Sequence, residues 1–405
     1  MTFDITTSFR ADLPAPAAKW AGNLPYSFVG GHNDGPSVPF GGLSEAVGSA
    51  IAREGQALAA YNLGGSPQGY QPLREFVAGC LESRAATPTD PDDVLITSGS
   101  LQALSLVNSL FVSPGDTVIV EEATYGGTLS MLAGAGARVV GVALDEDGIR
   151  TDHLETLLAG LAAEGRQARY IYTIPTVQNP TGSVMSVERR REVLALARHY
   201  GVVVFEDDCY ADLVFDGSRP PTLRALDQQG GDGDSVVVYC GSFSKTIAPS
   251  LRVGFIVADW AVTSRLLALK TDAGTGALEQ LALAEYSAHH FDDHVRELSA
   301  TLAGKCGVMC DALVDRFGDA VSFVRPRGGI FVWVAFPEGI DTGALVAPAL
   351  ERGIEFNAGA GWSVDPAYGS RRLRLCFGHP SPDTIREGIG VFAEVVAAET
   401  GLTLP

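Results

Sequence analysis

Cysteine is scarce: six residues in 405, at Cys80, Cys209, Cys240, Cys306, Cys310 and Cys376. They are too sparse for a disulfide framework, and none forms the CxxC pair of a structural zinc site. Scattered in this way, they read as buried thiols of a cytoplasmic protein. Cations are few as well. Lys and Arg number 29 against 48 Asp and Glu, a net charge of −19. No cationic excess is left to displace counterions from nucleic acid or to hold an anionic membrane, so neither partner is expected. No stretch reaches the ~20 apolar residues of a membrane span. The N-terminal MTFDITTSFRADLPAP lacks a basic segment followed by an apolar one, so no secretory leader is apparent. There is no internal repeat and no low-complexity tract.

What is present is ample core material. Hydrophobic residues make up 46% and charged residues 19%, enough to bury a large interior. DVLIT (93–97), TVIVE (117–121), ARVVGV (137–142), RYIYTI (169–174), GVVVFED (201–207), SVVVYC (235–240) and VGFIVA (253–258) read as strands. Residues 100–111, 152–163 and 187–200 carry helical spacing between them. Near-continuous apolar strands alternating with helices predict an α/β fold, with a mostly parallel seven-stranded sheet between helices. Ligands then gather at the carboxyl ends of the strands. The ends of the chain differ in character. Residues 1–50, rich in Gly, Pro and polar residues, read as an arm. Residues 51–280 form the large domain, and 281–405 a smaller α/β domain that the arm joins.

Three strand-end loops carry candidate chemistry. After DVLIT, SGSLQ (98–102) opens a helix beside Gly99, which is either a phosphate site or a plain cap. After GVVVFE come Asp207, Asp208, Cys209 and Tyr210, where a carboxylate either faces a ligand or closes a turn. After SVVVYC comes GSFSKTIAPSLRVGF (241–255). There Ser242, Ser244 and Arg252 are candidates for a phosphate, and Lys245 for an amine. Taken together these parts match the needs of pyridoxal phosphate. It requires a lysine for its aldehyde, an acid beside its pyridine nitrogen, a phosphate cup and an arginine for the substrate carboxylate.

YIYTIPTVQNPTG (170–182), VVVFEDDCY (202–210), GSFSKTIAPSLRVGF (241–255), RGGIFVW (327–333) and LRLCF (373–377) stand in an order and spacing that resembles the fold-type-I pyridoxal-phosphate enzymes. The likeness is to the class I/II aminotransferases, specifically the 2-aminoadipate-aminotransferase-like group, over roughly residues 25 to 395. It implies an aminotransferase that moves an amino group from an L-amino acid to a 2-oxo acid in amino-acid metabolism. It also implies a homodimer with shared active sites. By the same resemblance Lys245 forms the Schiff base and moves the proton at the substrate Cα, and Asp207 pairs with the pyridine nitrogen. Tyr210 and Asn179 hydrogen-bond the phenolic oxygen, and Tyr125 stacks on the ring. Ser100, Leu101 and Gln102 cup the phosphate with Ser242, Ser244 and Arg252. Arg374 and Asn179 receive the substrate, under an arm at Gly30 and Gly31. Tyr61 reaches the partner's phosphate, with Tyr70 as the competing choice because the run YNLGGSPQGY (61–70) is longer than usual.

The arm also departs from the family pattern. GGHNDGP (30–36) places His32, Asn33 and Asp34 near the substrate entrance, as a solvated loop or as a polar pocket for an unusual or cationic substrate. His290 and His294 in HHFDDH share a helix face, but no metal site is expected there. Cys306 and Cys310 read as core, and RRR (189–191) as a solvated helix face. A second functional reading keeps the same frame and cofactor for a lyase, decarboxylase, cyclase or oxidase. These differ in which bond at Cα or beyond is broken and in what water or proton donor is admitted, and that choice sits in the pocket rather than the fold.

Overall fold

All seven apolar runs become strands of one sheet. Its order is Val94–Thr97, Gly254–Val257, Val237–Ser242, Val203–Asp207, Ala168–Thr173, Thr117–Glu121 and Arg138–Val142. The computed structural model describes residues 4–10, 13, 16, 17, 19, 22–230 and 233–405. Of the expected arm, residues 1–3, 11, 12, 14, 15, 18, 20 and 21 lie outside the described residues. Every strand pair is parallel except those of Gly254–Val257, which runs antiparallel to both neighbours. Its connection from Ser242 holds no crossover helix long enough to carry the chain back for a parallel return.

The apolar runs are continuous because both faces of the sheet are covered. Ile119, Ile171 and Val204 pack on one face with Leu154, Leu158 and Val193 from the helices Thr151–Ala163 and Val187–Tyr200. Val118, Val120, Tyr170, Tyr172 and Phe205 point the other way, into a core shared with Leu104 and Val107 of the helix Ser100–Phe111. This alternation along each strand is the pleat itself.

One helix of 41 residues, Ala277–Phe317, runs across the expected boundary at 280/281. It packs against the helices Phe40–Glu54 and Pro382–Thr400. Cys306 and Cys310 are buried on it with their sulfurs 4.0 Å apart. A three-stranded sheet follows, with Arg372–Cys376 between Phe331–Ala335 and Asn357–Ala358. Tyr26–Ser27 pairs in parallel with Ile354–Glu355, so the N-terminal segment is stitched to the C-terminal part of the chain.

The reading of RRR (189–191) as a solvated face needs correction at Arg190. That side chain has no solvent exposure. It donates to the carbonyls of Met185 (3.0 Å) and Pro175 (2.9 Å) and lies 3.7 Å from Glu206. The helix starts beside a loop whose carbonyls face it, and a long forked donor reaches two of them. In HHFDDH, His294 is turned inward, with Nε2 2.7 Å from the Thr246 carbonyl, while His290 is exposed.

Asp34 does not offer its charge to a ligand either. It is buried against Lys305, which also donates to the Gly378 carbonyl at 2.9 Å. Desolvation raises the Asp34 carboxyl, but hydrogen bonds from Lys305 and Ser37 outweigh it and hold the group below its ordinary value. The pair ties the arm to the long helix. Replacing Lys305 by Met should leave Asp34 buried and unpaired and cost roughly 3–5 kcal/mol. Denaturant unfolding of the variant beside the wild type measures this, and equal midpoints would contradict it.

Candidate active site

A cavity of about 300 Å³ opens at the carboxyl ends of the large sheet's central strands. Asp207, the last residue of its strand, lines it. Its carboxylate accepts from Tyr172 Oη at 2.7 Å and from the Cys209 N–H at 3.4 Å. Burial pushes the carboxyl above its ordinary value, and these hydrogen bonds pull it back. The adjacent Asp208 faces away, paired with Arg219 at 3.1 Å. Two neighbouring carboxylates are thus separated by the strand's alternation, one toward the cavity and one into a buried ion pair.

Lys245 lies in the turn after the strand Val237–Ser242. Its Nζ donates to the Gly31 carbonyl at 2.7 Å and sits 5.8 Å from the centre of the Tyr210 ring. Burial lowers its ammonium pKa, which favours the neutral, nucleophilic amine. Asn179 Nδ2 reaches Tyr210 Oη at 3.5 Å, and its Oδ1 accepts from Arg374 Nη1 at 3.1 Å. Arg374 is almost fully buried, which brings it down to about 10. Tyr125 closes another side, its ring 5.8 Å from that of Trp362.

At the mouth, the helix Ser100–Phe111 begins after Gly99, whose φ is +80°. A Cβ there would stand 2.3 Å from Arg252 Nη2, so glycine is what admits the guanidinium. Ser100, Leu101, Ser244 and Arg252 line the cavity together. Gln102, Ser242 and Tyr61, expected at the site, do not line it, nor does the competing Tyr70. The Gln102 side chain is engaged by the Ser98 N–H (2.7 Å) and by Asp272 (2.6 Å), closing its own turn. Ser242 Oγ accepts from the Ser244 N–H at 3.1 Å. Tyr61 is 83% exposed, and Tyr70 donates to Glu54 at 2.6 Å.

Sequence reasoning missed Phe331, Asn357 and Trp362. Phe331 stands inside the quoted RGGIFVW motif, where aromatic character and a strand position were the available signals. Asn357 and Trp362 come from a segment without a motif; Asn357 reaches the cavity through the small sheet and Trp362 from the turn after it. Asp207, Cys209 and Cys240 hold ligand atoms within 4.8 Å of one another, but the Asp207 carboxylate is already engaged by Tyr172.

These residues fit pyridoxal phosphate. Lys245 offers an amine, Asp207 a buried carboxylate, and the start of the helix at Ser100 a set of N–H groups beside Arg252. The model of the family described as aminotransferase class I and II matches residues 38–392, and the chain belongs to that family. It is a pyridoxal-phosphate-dependent transferase. Aromatic-amino-acid aminotransferase 1 of Thermococcus litoralis is 33% identical over 338 residues, 83% of this chain and 80% of that one. The crystal structure of a multiple substrate aminotransferase from Thermococcus profundus superposes with a TM-score of 0.89 at 28% identity, over 98% of this chain and 100% of that one. The α-aminoadipate aminotransferase of Thermus thermophilus, complexed with N-(5'-phosphopyridoxyl)-L-leucine, gives 0.85 at 31% identity over 93% of each chain.

Replacing Gly99 by Ala tests the phosphate cradle. The new Cβ must displace Arg252, so cofactor affinity should fall roughly ten- to a hundredfold, the worth of a charge-assisted hydrogen bond. Fluorescence titration of apoenzyme with pyridoxal phosphate measures it; unchanged affinity would remove Arg252 from the cradle.

Proposed function

We propose that this aminotransferase moves the amino group of an L-amino acid to a 2-oxo acid, with Lys245 as its covalent anchor and proton carrier. The observation that carries this reading is the convergence of one amine, one buried carboxylate and two guanidiniums on a single cavity. When bound, pyridoxal phosphate supplies an aldehyde carbon and an electron-withdrawing ring. Asp207 keeps a proton on the ring nitrogen, and its burial strengthens that contact. Tyr210 and Asn179 hydrogen-bond the phenolic oxygen, while Tyr125 covers the ring. Arg374, with Asn179 beside it, receives the α-carboxylate and so presents the Cα proton to Lys245. The backbone at Gly30 and Gly31 closes over the substrate. Ser100, Leu101, Ser244 and Arg252 hold the phosphate.

We also propose that two copies complete the site. Phe40, Leu58, Tyr61, Leu101 and Leu278 are large apolar residues left exposed, and Leu101 lines the cavity as well. A second copy covering them brings Tyr61 to the partner's phosphate.

The test is a cofactor spectrum. The holoenzyme is mixed with single L-amino acids without a 2-oxo acid, beginning with 2-aminoadipate and the aromatic amino acids. The lysine-linked absorption should give way to that of pyridoxamine phosphate, and a 2-oxo acid should restore it. Lys245→Ala should lose both the lysine-linked band and turnover while keeping its circular dichroism. Release of ammonia or carbon dioxide, or uptake of oxygen, would instead assign another reaction of the same cofactor.

A further inference from the structure

Arg374 is held more tightly than a carboxylate receptor requires, and the way it is held assigns a role to Asn357. The Phe331 and Trp362 ring centres lie 3.9 and 3.7 Å from its Cζ. Stacking of this kind fixes the plane of a guanidinium but leaves it free to turn within that plane. The in-plane direction is set by acceptors. Nη1 donates to Asn179 Oδ1 at 3.1 Å, and Nη2 to both Gly30 O and Asn357 Oδ1 at 2.7 Å. Nε is buried and has no partner among the described residues.

Counting hydrogens gives the consequence. Nη2 carries two, and both are taken; Nη1 has one to spare. A carboxylate that meets the guanidinium end-on needs one hydrogen from each Nη, so one acceptor on Nη2 must yield. Gly30 belongs to the arm, with a φ of +76°, outside any strand. Asn357 is a strand residue whose Cα is paired directly with that of Arg374. The arm can withdraw its carbonyl, whereas the ladder fixes the Asn357 backbone and keeps its side chain beside the guanidinium.

We propose that Asn357 is a positioning residue. It holds Arg374 Nη2 in register, so that displacement of the Gly30 carbonyl alone exposes a two-pronged seat for the substrate α-carboxylate. An amide suits this task. It accepts a hydrogen bond without a charge, whereas a carboxylate at the same place would neutralise the guanidinium before substrate arrives. The inference rests on the reading of Arg374 given under the proposed function.

The test uses holoenzyme carrying Asn357→Val or Asn357→Asp. Valine suits a half-buried strand position, and aspartate keeps the shape of the native side chain. Two quantities are read: KM against kcat for the best amino-acid donor, and the Kd of the unreactive monocarboxylate 4-methylpentanoate by calorimetry. Cofactor content serves as a control. In Asn357→Val both KM and Kd should rise roughly ten- to a hundredfold, the worth of one hydrogen bond to a charged group, with kcat changed far less. Asn357→Asp should weaken the monocarboxylate further still. Wild-type KM and Kd in a folded, loaded Asn357→Val enzyme would overturn the proposal. Should valine disturb the fold or the cofactor content, Asn357→Asp decides: unchanged Kd there overturns it equally. A wild-type enzyme that transaminates no amino acid would sink the proposed function instead, so the two failures are distinguishable.

Discussion

Two consecutive backbone carbonyls hold the site together. Gly30 O accepts from Arg374, and Gly31 O accepts from Lys245, each at 2.7 Å. Both cations are largely removed from water, where an unpaired charge is costly. Both are met by neutral oxygens, which compensate them in part and leave their charge available to an anionic ligand. The arm that supplies these oxygens is itself anchored by the buried Asp34–Lys305 pair and by the two-residue strand at Tyr26–Ser27. The order of the cavity therefore depends on an element far from it in sequence.

The same arrangement explains how a chain of net charge −19 presents a cationic interior. Lys245, Arg252 and Arg374 face the cavity, while Asp208 is turned into a pair with Arg219 and Asp34 into one with Lys305. Asp207 is the carboxylate left among the lining residues, and burial raises it. A local field opposite in sign to the net charge suits ligands that carry a phosphate and a carboxylate.

Much of this was legible in the residues. The seven strands and the helix 100–111 follow from apolar runs whose length and spacing leave little choice, because both faces of the sheet are covered. Lys245, Asp207, Asn179, Tyr210, Arg252 and Arg374 stand in motifs with characteristic spacing, and the structure brings all of them to one cavity. Ser242 stands in one of these motifs and Gln102 in the SGSLQ loop, yet both close turns, since motif membership says nothing about which hydrogen bond a polar side chain makes. Arg190 looked like surface because a basic run usually is; here its guanidinium turns inward to the carbonyls of Met185 and Pro175 and to Glu206.

By itself, then, the sequence determined the layered α/β fold, because periodicity is a local property of the chain, and through the resemblance of its motifs to a family it implied the cofactor and the residues expected to carry its chemistry. Only the tertiary structure decided what surrounds those residues. Asn357 and Phe331 gather on Arg374 through the pairing of three short strands, Trp362 joins them from the turn that follows, and Asp34 meets Lys305 across a separation of 271 residues. Contacts between segments so far apart are set by packing, and packing leaves no periodic trace in the chain.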